Sequence, residues 1–288
     1  MIIDRTCDMV DWAAVWRARM EANRRLKGGT ECAGLWQERR AAERYDMIVK
    51  KESRAKALAM IQMLQLGQGQ KVLDIGAGPG THTIPMAKIV GQVTAIEPSP
   101  GMADVLEHNL AEENIRNVNC VRKRWEDVVP SDLYSPYDIV LASLSLGMLD
   151  IRAALEKMDR ACSGRVYLVW PAGVTAWERI YREAWPQIHA EPYVSGPKAD
   201  VLFNVLYQMG ICPDIHIYRD EHVEMFSGLD EAVAYYRSMY CATTQEKESS
   251  LRRFLGRKLN RSTDGLTLRG VSQMALLSWD VMINRMQG

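Results

Sequence analysis

Apolar positions recur at helical spacing through the first 66 residues. Trp12, Trp16 and Met20 stand four apart, and Leu58, Ile61 and Leu64 share one helical face. Gly28 and Gly29 interrupt the run, which predicts a first helix before them and a second carrying Trp36 and Tyr45. From Lys71 the period changes. Short apolar runs at 71–75, 92–97, 118–121, 137–143 and 165–170 alternate with helical stretches, as βαβ units around a parallel sheet require. Ser99 followed by Pro100 marks one helix start, with Met102, Val105 and Leu106 on its buried face. Asp150 marks another, with Ile151, Leu155 and Met158 inside and Gly164 just past its end.

Beyond Pro171 the alternation loosens. Trp177, Tyr181 and Trp185 predict a helix; a helix at 199–209, a strand at 214–218, a helical stretch at 229–260 and a final strand at 274–281 follow. The expected architecture is an α/β three-layer sandwich on a seven-stranded, mostly parallel sheet with its last strand antiparallel. Residues 1–66 form an N-terminal helical cap and 67–288 the core, with helical insertions at about 174–196 and 227–263 serving as a lid.

Composition narrows the function classes. Hydrophobic residues at 47% and charged residues at 25% suit a folded globular chain. Lys plus Arg equals Asp plus Glu at 36 each, so no basic field gathers a polyanion, and nucleic acid is disfavoured as a partner. The basic run Arg252, Arg253, Arg257, Lys258 and Arg261 follows Glu246 and Glu248 and reads as a solvated helix face. Six scattered cysteines with no C-x-x-C pair predict no metal site. Charges in the first eight residues and the lack of an 18-residue apolar run predict a cytoplasmic protein with no membrane partner. Monomer and homodimer both remain open.

The chemistry lies in V-L-D-I-G-A-G-P-G-T, Val72 to Thr81, an apolar strand ending in a glycine loop that opens a helix. Gly76, Gly78 and Gly80 allow tight turning and close ligand approach. Thr81 stands where a dinucleotide fingerprint wants its third glycine. The segment resembles motif I of the class I, Rossmann-like S-adenosylmethionine-dependent methyltransferases, in which an acid precedes a G-x-G-x-G loop by two residues. Asp74 is that acid. The resemblance implies that the loop, with Ala77 and the following His82, runs under the methionine part of S-adenosylmethionine. A carboxylate there suits an ammonium and a sulfonium better than a pyrophosphate.

The next strand ends in V-T-A-I-E-P-S, and Glu97 can accept from both ribose hydroxyls. Pro98, Ser99 and Met102 resemble the family's E-P-S-x-x-M continuation, with the methionine near the adenine. R-K-R-W-E-D-V follows the third strand, where the resemblance implies adenine contacts from Trp125 and Glu126. Arg124 departs from the family, which usually has Asp there. Ser143 and Leu144 end the fourth strand, where the family places cofactor and substrate contacts. No N-P-P-Y or D-P-P-Y tetrad follows, which argues against methylation of exocyclic amines in DNA bases. Upstream, W-Q-E-R-R-A-A-E-R-Y-D resembles a helix of small-molecule methyltransferases whose tyrosine closes over the methionine end, which makes Tyr45 the candidate.

The implied reaction is in-line displacement at an activated methyl, with S-adenosylhomocysteine as product. Alignment and desolvation can carry it, so no catalytic dyad is required and none is assigned. The covering helices and neutral charge favour a small-molecule acceptor. An RNA or protein methyltransferase, a non-catalytic cofactor-binding protein and a nicotinamide-dependent dehydrogenase are the alternatives. Trp12, Trp16, Trp177, Tyr181 and Trp185 read as packing residues, and His108, His189, His216 and His222 as surface or satisfied groups.

Overall fold

The computed structural model describes residues 10–29, 32–263 and 265–287. The expected N-terminal cap therefore includes residues 1–9, 30 and 31, which lie outside the described residues. Helix α1 (Trp12–Leu26) starts where the Asp11 carboxylate accepts from the Ala14 N–H at 2.9 Å. A 3₁₀ turn at Cys32–Trp36 holds Trp36, which the sequence pattern assigned to the second helix; that helix, α2, spans Arg39–Gln62.

The core strands are β1 (Lys71–Ile75), β2 (Gln92–Ile96), β3 (Val118–Val121), β4 (Tyr137–Ser143) and β5 (Cys162–Pro171). Between them run α3 (Thr83–Ala87), α4 (Pro100–Glu112) and α5 (Ile151–Ala161). Asp150 caps α5 as expected, accepting from Ala153 N–H at 3.1 Å. Gly164 is not a helix terminator. It lies in β5, where a Cβ would come within 2.2 Å of the Asp138 carbonyl, so the strand starts earlier than its apolar run suggests.

Later elements are α6 (Ala176–His189), α7 (Ala199–Gln208), β6 (Asp214–Phe226), α8 (Leu229–Met239), α9 (Gln245–Lys258), β7 (Asn260–Ser262), β8 (Gly265–Asp280) and α10 (Val281–Gln287). The strands expected at 214–218 and 274–281 are the inner ends of two long antiparallel partners, paired from Asp214↔Ser278 to Phe226↔Leu266. The helical stretch at 229–260 is two helices, broken where Cys241 takes φ 49° and restarted where Thr244 accepts from Lys247 N–H at 3.3 Å.

The sheet order is β3-β2-β1-β4-β5-β8-β6, with β7 hydrogen-bonded to β8 as an eighth short strand. β1 through β5 run parallel, and β8 is antiparallel to both β5 and β6. One face packs on α1, α5 and α7 through Trp16, Leu155, Leu202, Leu73, Val140 and Val166. The other packs on α2 and α3 through Ile61, Leu64, Met86, Val72 and Leu141, and on α4 through Leu106 and Leu110. The outer ends of β6 and β8 carry α6, α8 and α9 around a separate aromatic core that includes Tyr181, Trp185, Phe226 and Tyr240. β1 has β2 on one side and β4 on the other, so crossovers leave it in opposite directions and a crevice opens at the strands' carboxyl ends.

Candidate active site

That crevice receives the motif residues. The N–H groups of Gly76 and Ala77 both donate to the Ile96 carbonyl, at 2.8 and 3.0 Å, which pins the loop after β1 to the end of β2. The three glycines then divide by cause. A Cβ on Gly76 would lie 2.2 Å from the Ser145 Cβ, and one on Gly80 would meet Leu106 and Ile84 within 2.8 Å. Both are small because the protein packs against itself there. Gly78, at φ +56°, faces open space, and it alone of the three leaves room for a ligand.

Asp74 is the penultimate residue of β1 and is buried. Thr83 Oγ1 donates to its Oδ2 at 2.6 Å. Burial pushes the Asp74 carboxyl up to about 6, with the Thr83 bond opposing and the charge of Glu97 adding to the rise. Glu97, just past β2, is also buried. Its Oε2 accepts from Gly78 N–H and its Oε1 from Ser99 N–H, each at 2.8 Å. Burial raises the Glu97 carboxyl, and the bonds from Ser99 and Gly78 hold the rise back. Neither carboxylate is paired with a Lys or Arg among the described residues. Two buried acids without a Lys or Arg partner beside a loop with open space have the chemistry to hold a cationic, hydroxyl-bearing ligand.

Ser99 sits at the N-cap of α4 by conformation, yet its side chain makes no capping bond and serves Glu97 instead. Pro98 lies half-buried between them. Met102 is buried with Ala42 and Val105 beneath Trp36 and Tyr45, whose ring centres are 4.8 Å apart. Gly101 permits this closeness, since a Cβ would lie 2.6 Å from the Trp36 carbonyl. Thr81 and His82 follow the loop half-buried, and burial pushes the His82 imidazole down to about 4. It is neutral at physiological pH and adds no charge beside a cation.

The turn after β3 differs from its sequence picture. The Trp125 indole points into the core and donates to the Ala154 carbonyl at 3.1 Å, so only main chain remains for a ligand. Lys157 from α5 shapes the turn by donating to the carbonyls of Trp125, Glu126 at 3.0 Å and Val128 at 3.1 Å. The exposed Glu126 carboxylate pairs with Arg124 at 3.0 Å. At the end of β4, Ser143 is half-buried and Leu144 is exposed with φ 56°, an uncommon backbone for a non-glycine residue.

Sequence reasoning placed Ser145 at the end of the fourth strand beside Ser143 and Leu144 but missed Thr83, Asn109 and Lys157. Asn109 carried a signal, a polar residue on the apolar face defined by Met102, Val105 and Leu106. Thr83 and Lys157 act across a turn or between distant elements, and no local spacing announces them.

Residues 72–164 match the methyltransferase domain family. An uncharacterised Haemophilus influenzae protein is 27% identical over 224 residues, covering 77% of this chain and 80% of that one. Protein-L-isoaspartate O-methyltransferase 1 of Rhodopseudomonas palustris is 36% identical over 115 residues, which is 40% of this chain and 44% of that enzyme. A solved structure of a candidate methyltransferase from Bacillus halodurans superposes with a TM-score of 0.54 at 15% identity, covering 79% of this chain and 99% of that one. The matched segment holds β1 to β4, the glycine loop and both acids described above, so this part of the chain resembles a methyltransferase domain, and the solved structure shares its fold.

Proposed function

We propose that the protein transfers the methyl group of S-adenosylmethionine to a small-molecule acceptor held under α1 and the N-terminal cap. The observation that carries the cofactor assignment is the pair of buried acids, Asp74 and Glu97, unpaired with any cation and separated by Gly78 and its open space. When bound, S-adenosylmethionine supplies a methyl carbon on a sulfonium, with a thioether as leaving group.

Asp74 attracts the cationic end, and its carboxylate is fixed in place by Thr83. Glu97 has both oxygens oriented by main-chain donors and accepts from the Ser99 hydroxyl as well, with acceptor capacity left for a ribose hydroxyl. Gly78 keeps the loop from blocking the ligand. Met102 and the main chain of Trp125 and Glu126 flank the base, with Tyr45 closing from the cap, while Ser143 and Leu144 meet the ligand from β4.

A small acceptor is favoured because α1 covers the segment after β4. The Trp16 Nε1–H donates to the Met148 carbonyl at 2.8 Å, Arg24 donates to the Gly147 carbonyl, and the rings of Trp16 and Trp170 lie 5.6 Å apart. The balanced charge gives no field for a nucleic acid. Among the described residues no helix is long and apolar enough to cross a membrane.

Incubation with methyl-labelled cofactor and a cell extract, followed by ultrafiltration, tests the acceptor class. Label in the small-molecule filtrate is expected. Label retained on protein or RNA overturns the small-molecule assignment.

A further inference from the structure

The N-terminal cap is wired to the glycine loop by one buried side chain. Asn109, on α4, is 2% exposed. Its Nδ2 donates to the Pro79 carbonyl, between Gly78 and Gly80, at 2.9 Å and to Asp46 Oδ1 on α2 at 3.2 Å. Its Oδ1 accepts from Lys50 Nζ at 2.8 Å, and Lys50 also pairs with Asp46 Oδ2 at 2.9 Å. Both amide hydrogens and the amide oxygen are in use. The chain of contacts runs Glu97, Gly78, Pro79, Asn109, Asp46 and Lys50, and Tyr45 is Asp46's neighbour in sequence. An amide is the group this position demands. Pro79 and Asp46 both require a donor, whereas Lys50 requires an acceptor.

We propose that Asn109 is a positioning residue that couples occupancy of the cofactor loop to ordering of the cap helix α2. This rests on the assignment of the loop as the cofactor site. A ligand that fixes Gly78 and Pro79 fixes the Pro79 carbonyl, and through Asn109 it fixes Asp46 and Lys50; by reciprocity an ordered cap favours the ligand-ready loop. A buried hydrogen-bonded link of this kind is costly to break because the Pro79 carbonyl and Asp46 Oδ1 would both lose the Asn109 donor.

The test is hydrogen exchange of α2 amides with and without S-adenosylhomocysteine, combined with calorimetry of its binding. In the wild type the ligand is expected to slow exchange across 43–50. Asn109→Leu should bind about tenfold more weakly and lose most of the ligand-dependent slowing. Because that variant removes a buried group, Lys50→Met serves as the second. Its side chain is half-exposed, so folding should survive, with a smaller loss of the same kind, and Lys50→Arg should restore it. Variants that fold, bind and still slow α2 as the wild type does overturn the coupling and leave the cofactor assignment standing. A wild type that does not bind S-adenosylhomocysteine overturns both.

Discussion

At the scale of single residues, the three loop glycines look equivalent in the sequence and are not. Gly76→Ala would drive a methyl into Ser145 at a positive φ, so stability should fall by about 3 kcal/mol. Gly78→Ala meets no atom within 4 Å, so only the left-handed backbone is penalised, by about 1 kcal/mol, while affinity for S-adenosylhomocysteine should collapse. Urea midpoints and calorimetry on the two variants separate these effects. The acids and glycines were legible because their spacing along one strand and turn is local. The reason for Gly76 and Gly80 was not, because Ser145 and Leu106 approach from other elements.

Asp74 carries a pH prediction. Its folded carboxyl titrates at about 6 against an ordinary 3.8, so the native state holds the proton more tightly than the unfolded chain. Its contribution favours folding below the unfolded value and is lost as pH rises through about 6. Asp74→Asn should therefore stabilise the ligand-free protein at pH 7.5, by on the order of 2 kcal/mol, and leave it nearly unchanged at pH 4. Thermal melts at the two pH values check this; destabilisation at pH 7.5 would contradict it. Ligand affinity in the wild type should rise with pH across the same window, as the carboxylate forms.

At the scale of elements, α5 shapes the turn after β3 at a distance in sequence. Lys157 reaches three carbonyls there and lies 4.7 Å from the centre of the Trp125 ring. Burial lowers its ammonium, with Glu126 and Asp127 pulling it back. Lys157→Met should keep the packing of the stem, lower the melting temperature by several degrees and weaken S-adenosylhomocysteine binding; binding equal to wild type would show that the turn needs no such support.

Other elements explain where sequence patterns stop informing. The outer half of β6 reads R-D-E-H-V-E-M-F, whose charges hide a strand that exists because Arg219 through Phe226 pair with β8 residues 40 to 54 positions later. The inner half of β8 lies in the sheet core and showed its apolar pattern, whereas the inner half of β6 is an exposed edge whose Ile215 and Ile217 still alternate with polar residues. The break between α8 and α9 had a local sign in Thr244, but no glycine or proline marked it.

At the scale of the molecule, sheet order and cofactor crevice followed from the βαβ pattern, since right-handed crossovers leave few topologies. The covering of that crevice did not follow. The position of α1 depends on contacts such as Trp16 with Met148 and Asn23 with Tyr193, which join residues more than 130 apart. Trp16→Ala should destabilise the fold by about 4 kcal/mol, since the indole is fully buried and its N–H bonded. The same substitution should raise the acceptor KM more than that of the cofactor, because Trp16 covers the segment after β4 and not the glycine loop.

In the proposed function, two buried, unpaired acids and the glycine loop hold S-adenosylmethionine. Titration calorimetry with S-adenosylhomocysteine tests it most directly, on the wild type, Asp74→Asn and Glu97→Gln. Saturable binding at one site per chain, weakened at least about tenfold in each variant, is the predicted result. No binding by the wild type, or variants that bind as tightly as it does, would overturn the assignment of this site.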